Sequence, residues 1–254
     1  MRLGPVLALS FVLLHPYFAV PQNTGDGSPA SVAIVELFTS EGCSSCPPAD
    51  ALLRQINLKR TSAGQLIVGI SEHVTYWDSG AWRDPFSSQK FTDRQSAYAS
   101  RLSPDGSYTP QMVLNGREQF VGSDAEALEQ ALRDDARRPH LVLSILSSTL
   151  SSLGVDVKFS LAGEISRPLD IFAVITDDAD QSNVLGGENG GRFLQHVSVA
   201  RSLARVAMVQ GGEQSLHIVL PNGFRPGKGS GHHVILLAQE QHLGAIVGAA
   251  TIPL

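Results

Sequence analysis

The chain has 254 residues, 43% of them hydrophobic and 17% charged, with a formal net charge of -5. That composition is globular and supplies core for one large or two medium domains. It lacks the basic excess that holds phosphate backbones, so nucleic acid is not expected as a partner.

Residues 1–20 carry one charge, Arg2, ahead of the apolar run Leu3 to Leu14 and the small residue Ala19. This order describes a secretory signal peptide. The run is shorter than the roughly 20 residues of a membrane span, and no cysteine follows it to take a lipid. The expected protein is secreted or periplasmic, with no stable membrane anchor after signal removal. Residues 21–31 contain Gly, Ser and Pro and read as a linker.

Val32 to Phe38 is a β-branched apolar run and predicts a buried strand. Pro47 and Pro48 fit only the opening turn of a helix, and Leu52, Leu53 and Ile56 continue it at helical spacing. Gln65 to Ser71 predicts a second buried strand. Glu72 to Phe86 holds both tryptophans and reads as a long aromatic loop. Phe91, Arg94, Gln95, Tyr98 and Leu102 follow a helical stripe. Gln111 to Leu114 and Glu118 to Val121 flank the turn signal Asn115-Gly116 and predict a hairpin. Ser123 with Glu126 reads as a capping box for a helix over Asp124 to Arg138, which Pro139 ends. From His140 the pattern changes to seven or eight short alternating runs, the signature of an antiparallel β-sandwich. In G-E-N-G-G-R-F-L-Q-H, Arg192 and His196 fall four apart in an expected strand and so share a face, read as an exposed one.

The only two cysteines, Cys43 and Cys46, stand in V-E-L-F-T-S-E-G-C-S-S-C-P-P-A-D, Val35 to Asp50. A redox pair, a structural clasp and half of a metal site are the competing explanations. A bridge across so short a loop removes little chain entropy, which argues against the clasp. The order strand, G-C-x-x-C, helix places Cys43 where the helix begins and Cys46 one turn inward. Unpaired N–H groups and the helix dipole there favour a thiolate. Cys43 is then the attacking thiol and Cys46 the resolving one. Glu41 beside them opposes thiolate formation.

V-E-L-F-T-S-E-G-C-S-S-C resembles the strand-to-active-site segment of glutaredoxins. Y-T-P-Q-M-V-L-N-G, starting at Tyr108, resembles the T-x-P segment shared by glutaredoxins and thioredoxins. The resemblance implies that Pro110 is a cis-proline facing the cysteines and that Thr109 offers backbone hydrogen bonds to a substrate. Together with Y-W-D-S-G-A-W-R-D-P-F, Tyr76 to Phe86, and G-E-N-G-G-R-F-L-Q-H-V-S-V-A-R, Gly187 to Arg201, these motifs resemble a family of exported proteins of unassigned function. The implied fold is an α/β thioredoxin-like domain over residues 32–139, followed by an all-β, sandwich-like domain over 140–254.

Two further residues join Thr109 and Pro110 in the expected substrate-binding set. Trp77, with Tyr76, Trp82 and Phe86, either walls a groove beside Cys43 or packs the insert onto the sheet. Glu36 either faces Cys46 and accepts its proton or points away by strand alternation. The expected function is a thiol–disulfide oxidoreductase acting on exported proteins with cysteines or on a small thiol, without a cofactor. Structural zinc needs four ligands, and no paired histidine spacing completes the two thiolates, so no metal ligand is assigned. A copper or zinc module using the same cysteines, and a non-catalytic interaction protein, are the alternatives.

Overall fold

The computed structural model describes residues 31–103, 105–222, 224 and 231–254. The expected signal peptide, and all of the expected linker except Ser31, lie outside them.

The first strand, β1 (Val32–Thr39), is buried on both faces, which is why its sequence is a continuous apolar run. Ala33, Val35 and Leu37 pack with helices α1 (Pro47–Ile56) and α3 (Ala125–Asp135). Alternation sends Ile34, Glu36 and Phe38 to the other face. After α1 the chain returns as β2 (Leu66–His73), parallel to β1. Leu53 of α1 rests directly on the β2 backbone, where a Cβ on Gly69 would come within 2.7 Å of it. A 3-10 turn (Thr75–Trp77) and α2 (Gln89–Leu102) lead to β3 (Gln111–Leu114), antiparallel to β1, and to its hairpin partner β4 (Glu118–Val121). Asn115 and Gly116 both have positive φ and form the centre of a turn that the Arg117 N–H closes on the Leu114 carbonyl at 2.9 Å. The cap of α3 differs from the expected capping box. Asp124, not Ser123, is the N-cap, and its Oδ1 accepts the Ala127 N–H at 2.9 Å.

Seven strands follow: β5 (Val142–Leu150), β6 (Gly154–Ala162), β7 (Leu169–Asn183), β8 (Phe193–Val209), β9 (Gly212–Val219), β10 (His232–Glu240) and β11 (Ile246–Pro253). They do not form a separate all-β domain behind a thioredoxin-like one, and the expected fold class is corrected here. Four of them continue the first sheet, giving one mixed eight-stranded sheet in the order β11-β10-β7-β8-β2-β1-β3-β4. The join is β8 running parallel to β2, with Ser71 opposite Val199. Ser198, held at positive φ, donates its hydroxyl to the Gly69 carbonyl at 2.5 Å and reinforces that join. An open β2 edge would expose unpaired backbone groups; β8 covers it. Strand periodicity reports which residues face a core but not which strand is the neighbour, so this pairing has no signature in sequence.

Cores are shared in the same way. Ile34, Val68 and Ile70 of β1 and β2 pack with Val174, Ile235, Leu237 and Ile246 of β7, β10 and β11. Each such side chain contributes about 1.5–3 kcal/mol by leaving water, and this cluster spans both sides of Pro139. The remaining strands form a three-stranded sheet, β5-β6-β9, whose Val155, Val157 and Phe159 pack on Ile171, Ile175 and Leu236 of the large sheet. Among the described residues the structure is mostly β with three short α-helices. Among the described residues no helix is long and apolar enough to cross a membrane.

Candidate active site

The turn after β1 carries the cysteines. Cys43 N–H donates to the Ser40 carbonyl and Cys46 N–H to the Cys43 carbonyl, each at 3.2 Å. Gly42 lies close under Trp77: a Cβ there would stand 3.1 Å from both the Cβ and the carbonyl oxygen of Trp77, which would have to give by a few tenths of an ångström. The sulfurs of Cys43 and Cys46 are joined in a disulfide. The helix starts later than expected. Cys46 is its N-cap rather than a residue one turn inside, and Pro47 and Pro48 occupy the first positions. Positions 47 and 48 have no intrahelical acceptor, so prolines fit there without loss, and the ladder starts with Ala49 and Asp50, which both donate to the Cys46 carbonyl. Ser45 Oγ lies 3.3 Å from Cys43 Sγ.

Neither cysteine is exposed to solvent: both are 0% accessible. The hairpin formed by the long strands β7 and β8 reaches over them with its tip, residues 184–192. Asn189, itself fully buried, donates from Nδ2 to the carbonyls of Glu41 at 2.9 Å and Cys43 at 2.8 Å. Glu188 Oε2 accepts the Ser44 N–H at 3.0 Å. Arg192 donates to Asn189 Oδ1 at 2.7 Å and so fixes the amide's orientation. On the flank, Gly186 passes so close to Ala81 that a Cβ would meet its carbonyl oxygen at 2.0 Å.

Beneath the turn lies a buried charged cluster. His196 of β8, read from sequence as surface decoration, is buried between two acids. Its Nε2 is 3.3 Å from Glu41 Oε1, and its Nδ1 is 3.6 Å from Asp50 Oδ1. Burial alone would lower its pKa, but Asp50 and Glu41 outweigh that and push it up to about 10, making it an imidazolium. The Glu41 charge thus faces a cation, and its other oxygen accepts Trp82 Nε1–H at 3.1 Å. Asp84 accepts from His73 at 2.7 Å and from the Glu41 N–H at 2.8 Å. Burial would raise Asp84, yet His73 and the backbone donors hold it at about 2. Phe86 closes the cluster against both imidazoles, with centroids 5.2 Å from His73 and 5.7 Å from His196. Trp82 and Phe86 therefore pack the aromatic insert.

Of the expected substrate contacts, three gather at this turn. The Thr109–Pro110 peptide bond is cis. Trp77 Nε1 donates to Thr109 Oγ1 at 2.7 Å, and both residues are half-buried. Pro110 and Ala49 of α1's first turn lie 3.0 and 3.1 Å from where a Gly122 Cβ would sit, so Pro110 borders the start of that helix. Glu36 is not brought there. It is on the opposite sheet face, where Arg94 donates to its Oε1 at 2.5 Å and Tyr98 to its Oε2 at 2.8 Å. Gln239 of β10 joins the same cluster through Arg94 and Tyr98. Burial, and then the neighbouring Glu36, raise the pKa of Glu72 well above its ordinary value. Among the described residues, no group of three or more His, Cys, Asp or Glu side chains is placed to hold a metal ion.

Asn189, Glu188, His196 and Asp50 were not predicted as site residues. Asp50 had a local signal, since it lies four residues after Cys46 on the same helical face. Glu188 and Asn189 come from the hairpin tip and His196 from β8 behind it, and the placement of all three depends on the β2–β8 pairing.

Fold and site define a large mixed β protein with a covered CxxC disulfide at the start of its first helix. The family model for a protein of unknown function (DUF1223) matches residues 34–239, and the chain belongs to that family. A crystal structure of a structural-genomics target protein from Agrobacterium tumefaciens is similar, with 26% identity, a TM-score of 0.66, and 89% of this chain and 96% of that one covered. HBP35 of Porphyromonas gingivalis shares the fold at 15% identity and a TM-score of 0.61, over 90% of this chain and 77% of its own. Among curated proteins no sequence matches.

Proposed function

We propose that this protein is an exported thiol–disulfide oxidoreductase, with Cys43 the attacking and Cys46 the resolving thiol. One observation carries the reading: the chain's only cysteines are bonded to each other across three positions at a helix start. A loop that short contributes little as a staple, because stabilisation grows with loop length. The strand–CxxC–helix unit and the cis Thr109–Pro110 edge resemble those of thioredoxins and glutaredoxins, here set within a larger sheet.

In the reducing direction the Cys43 thiolate attacks one sulfur of a substrate disulfide. The substrate's S–S bond breaks, one substrate thiolate leaves and takes a proton, and a mixed disulfide remains. The Cys46 thiolate then attacks Cys43 Sγ, re-forming the internal bond and expelling the second substrate thiolate. Two electrons and two protons pass from the dithiol to the substrate; the oxidising direction is the reverse. Ser45 Oγ is placed to donate to a Cys43 thiolate, and His196 offsets the acids that would otherwise oppose it. Thr109 and Trp77 supply the edge on which a cysteine-bearing exported protein or a small thiol docks.

Because neither sulfur is accessible, exchange requires the 184–192 tip to move aside. Insulin-disulfide reduction by dithiothreitol tests the function. The wild type should accelerate it and Cys43→Ser should not; equal rates would overturn the proposal.

A further inference from the structure

Away from the cysteines, a groove of about 790 Å³ opens where the β3–β4 turn, the segment after α3, and the β6–β7 and β10–β11 turns meet. Its volume is in the range that holds small organic ligands. The apolar part of its lining includes Leu141, Ile165 and Val247, all half-buried against the core between the two sheets. Its polar part sets Arg117 and Arg167 beside Glu164 and Glu240, with His140 and His242. Arg117 is half-buried, and its Nε is sealed from solvent with no hydrogen-bond partner among the described residues. Arg167 is exposed at the rim. His140 turns Nε2 to Asp135, while its Nδ1 is buried and equally unpartnered.

Glu240 Oε2 accepts the Ala245 N–H within its own turn, and Glu164 is exposed. His242 and Leu243, with φ of 58° and 53°, are the two central residues of the β10–β11 turn at the groove wall. Two arginines line the groove, and the planar guanidinium fork suits carboxylate or phosphate oxygens.

We propose that this groove binds a small amphipathic organic anion, with Arg117 and Arg167 holding its carboxylate or phosphate and Leu141, Ile165 and Val247 receiving its hydrocarbon part. The site uses neither cysteine, so it stands whether or not the redox function does.

Isothermal titration of the oxidised full-length protein tests it with octanoate, octyl phosphate, inorganic phosphate and the uncharged octyl glucoside. Octanoate or octyl phosphate should bind with one-to-one stoichiometry, whichever is tighter identifying the headgroup. Inorganic phosphate and octyl glucoside should each bind about tenfold more weakly or worse. Arg167→Gln, at an exposed position, and Arg117→Gln should each weaken the anion about tenfold with an unchanged melting temperature. Absence of binding by both amphiphilic anions at about 10 mM, equal binding of octyl glucoside, or wild-type affinity in both variants would each overturn the proposal.

Discussion

Asn189 Nδ2 holds the carbonyl of Cys43 at 2.8 Å across 146 positions of sequence. The same amide holds Glu41, so one side chain of the β7–β8 hairpin latches both sides of Gly42. A hydrogen bond contributes about 0.5–1.5 kcal/mol net, and two together set a barrier worth about tenfold in rate at 1.4 kcal/mol per decade. Asn189→Ala should therefore speed reduction of the Cys43–Cys46 disulfide by dithiothreitol about tenfold or more. Timed alkylation and mass spectrometry read this directly. An unchanged rate would mean that the tip does not gate access.

His196 should make stability depend on alkaline pH. Its pKa rises from 6.5 to about 10 on folding, so between those values the folded state binds more protons than the unfolded one. The stabilisation is fully present below 6.5 and is lost as pH rises through about 10. Asp180, raised by burial and then by Asp177 to about 6, titrates below that window. Melting temperature should fall from neutral pH toward pH 10, and His196→Gln should flatten the slope. Since the substitution leaves Glu41 and Asp50 facing each other without a cation, it should also cost about 3–5 kcal/mol at pH 7.

Arg94 tests the opposite sheet face. Replacing it with Met strands the Glu36 carboxylate in a fully buried site beside Glu72. Unfolding in urea should show a loss of about 3–5 kcal/mol. The redox midpoint of the cysteines should stay unchanged in the folded variant, because this cluster lies across the sheet from α1. A shifted midpoint would link Glu36 to the thiols after all.

Trp77→Phe keeps the ring's packing and removes its bond to Thr109 Oγ1. Steady-state kinetics with a disulfide-bearing peptide should show lower kcat/KM, while the dithiothreitol reduction rate of the protein's own disulfide stays near wild type. An equal loss in both would make Trp77 a packing residue only.

Much of the first half was legible in the sequence because its signals are local. The apolar run of β1, the Pro47-Pro48 helix start and the Asn115-Gly116 turn each act within a few residues. The Thr109–Pro110 cis bond was implied by a family resemblance rather than by spacing. What escaped depends on contacts far apart in the chain. Alternation alone sends Glu36 and Phe38 to one face, but only the docking of α2 and β10 makes that face a buried ion cluster. His196 looks like a surface residue in its own strand until β8 pairs with β2 and carries it under the cysteine turn. That same pairing merges two expected domains into one sheet.

A redox-buffer titration of the Cys43–Cys46 couple, trapped by alkylation and read by mass, tests the central claim most directly. The account predicts a reversible two-electron transition with a midpoint between about -270 and -120 mV, the span of known exchange catalysts. A disulfide that stays oxidised below about -300 mV, as structural bridges do, would contradict it.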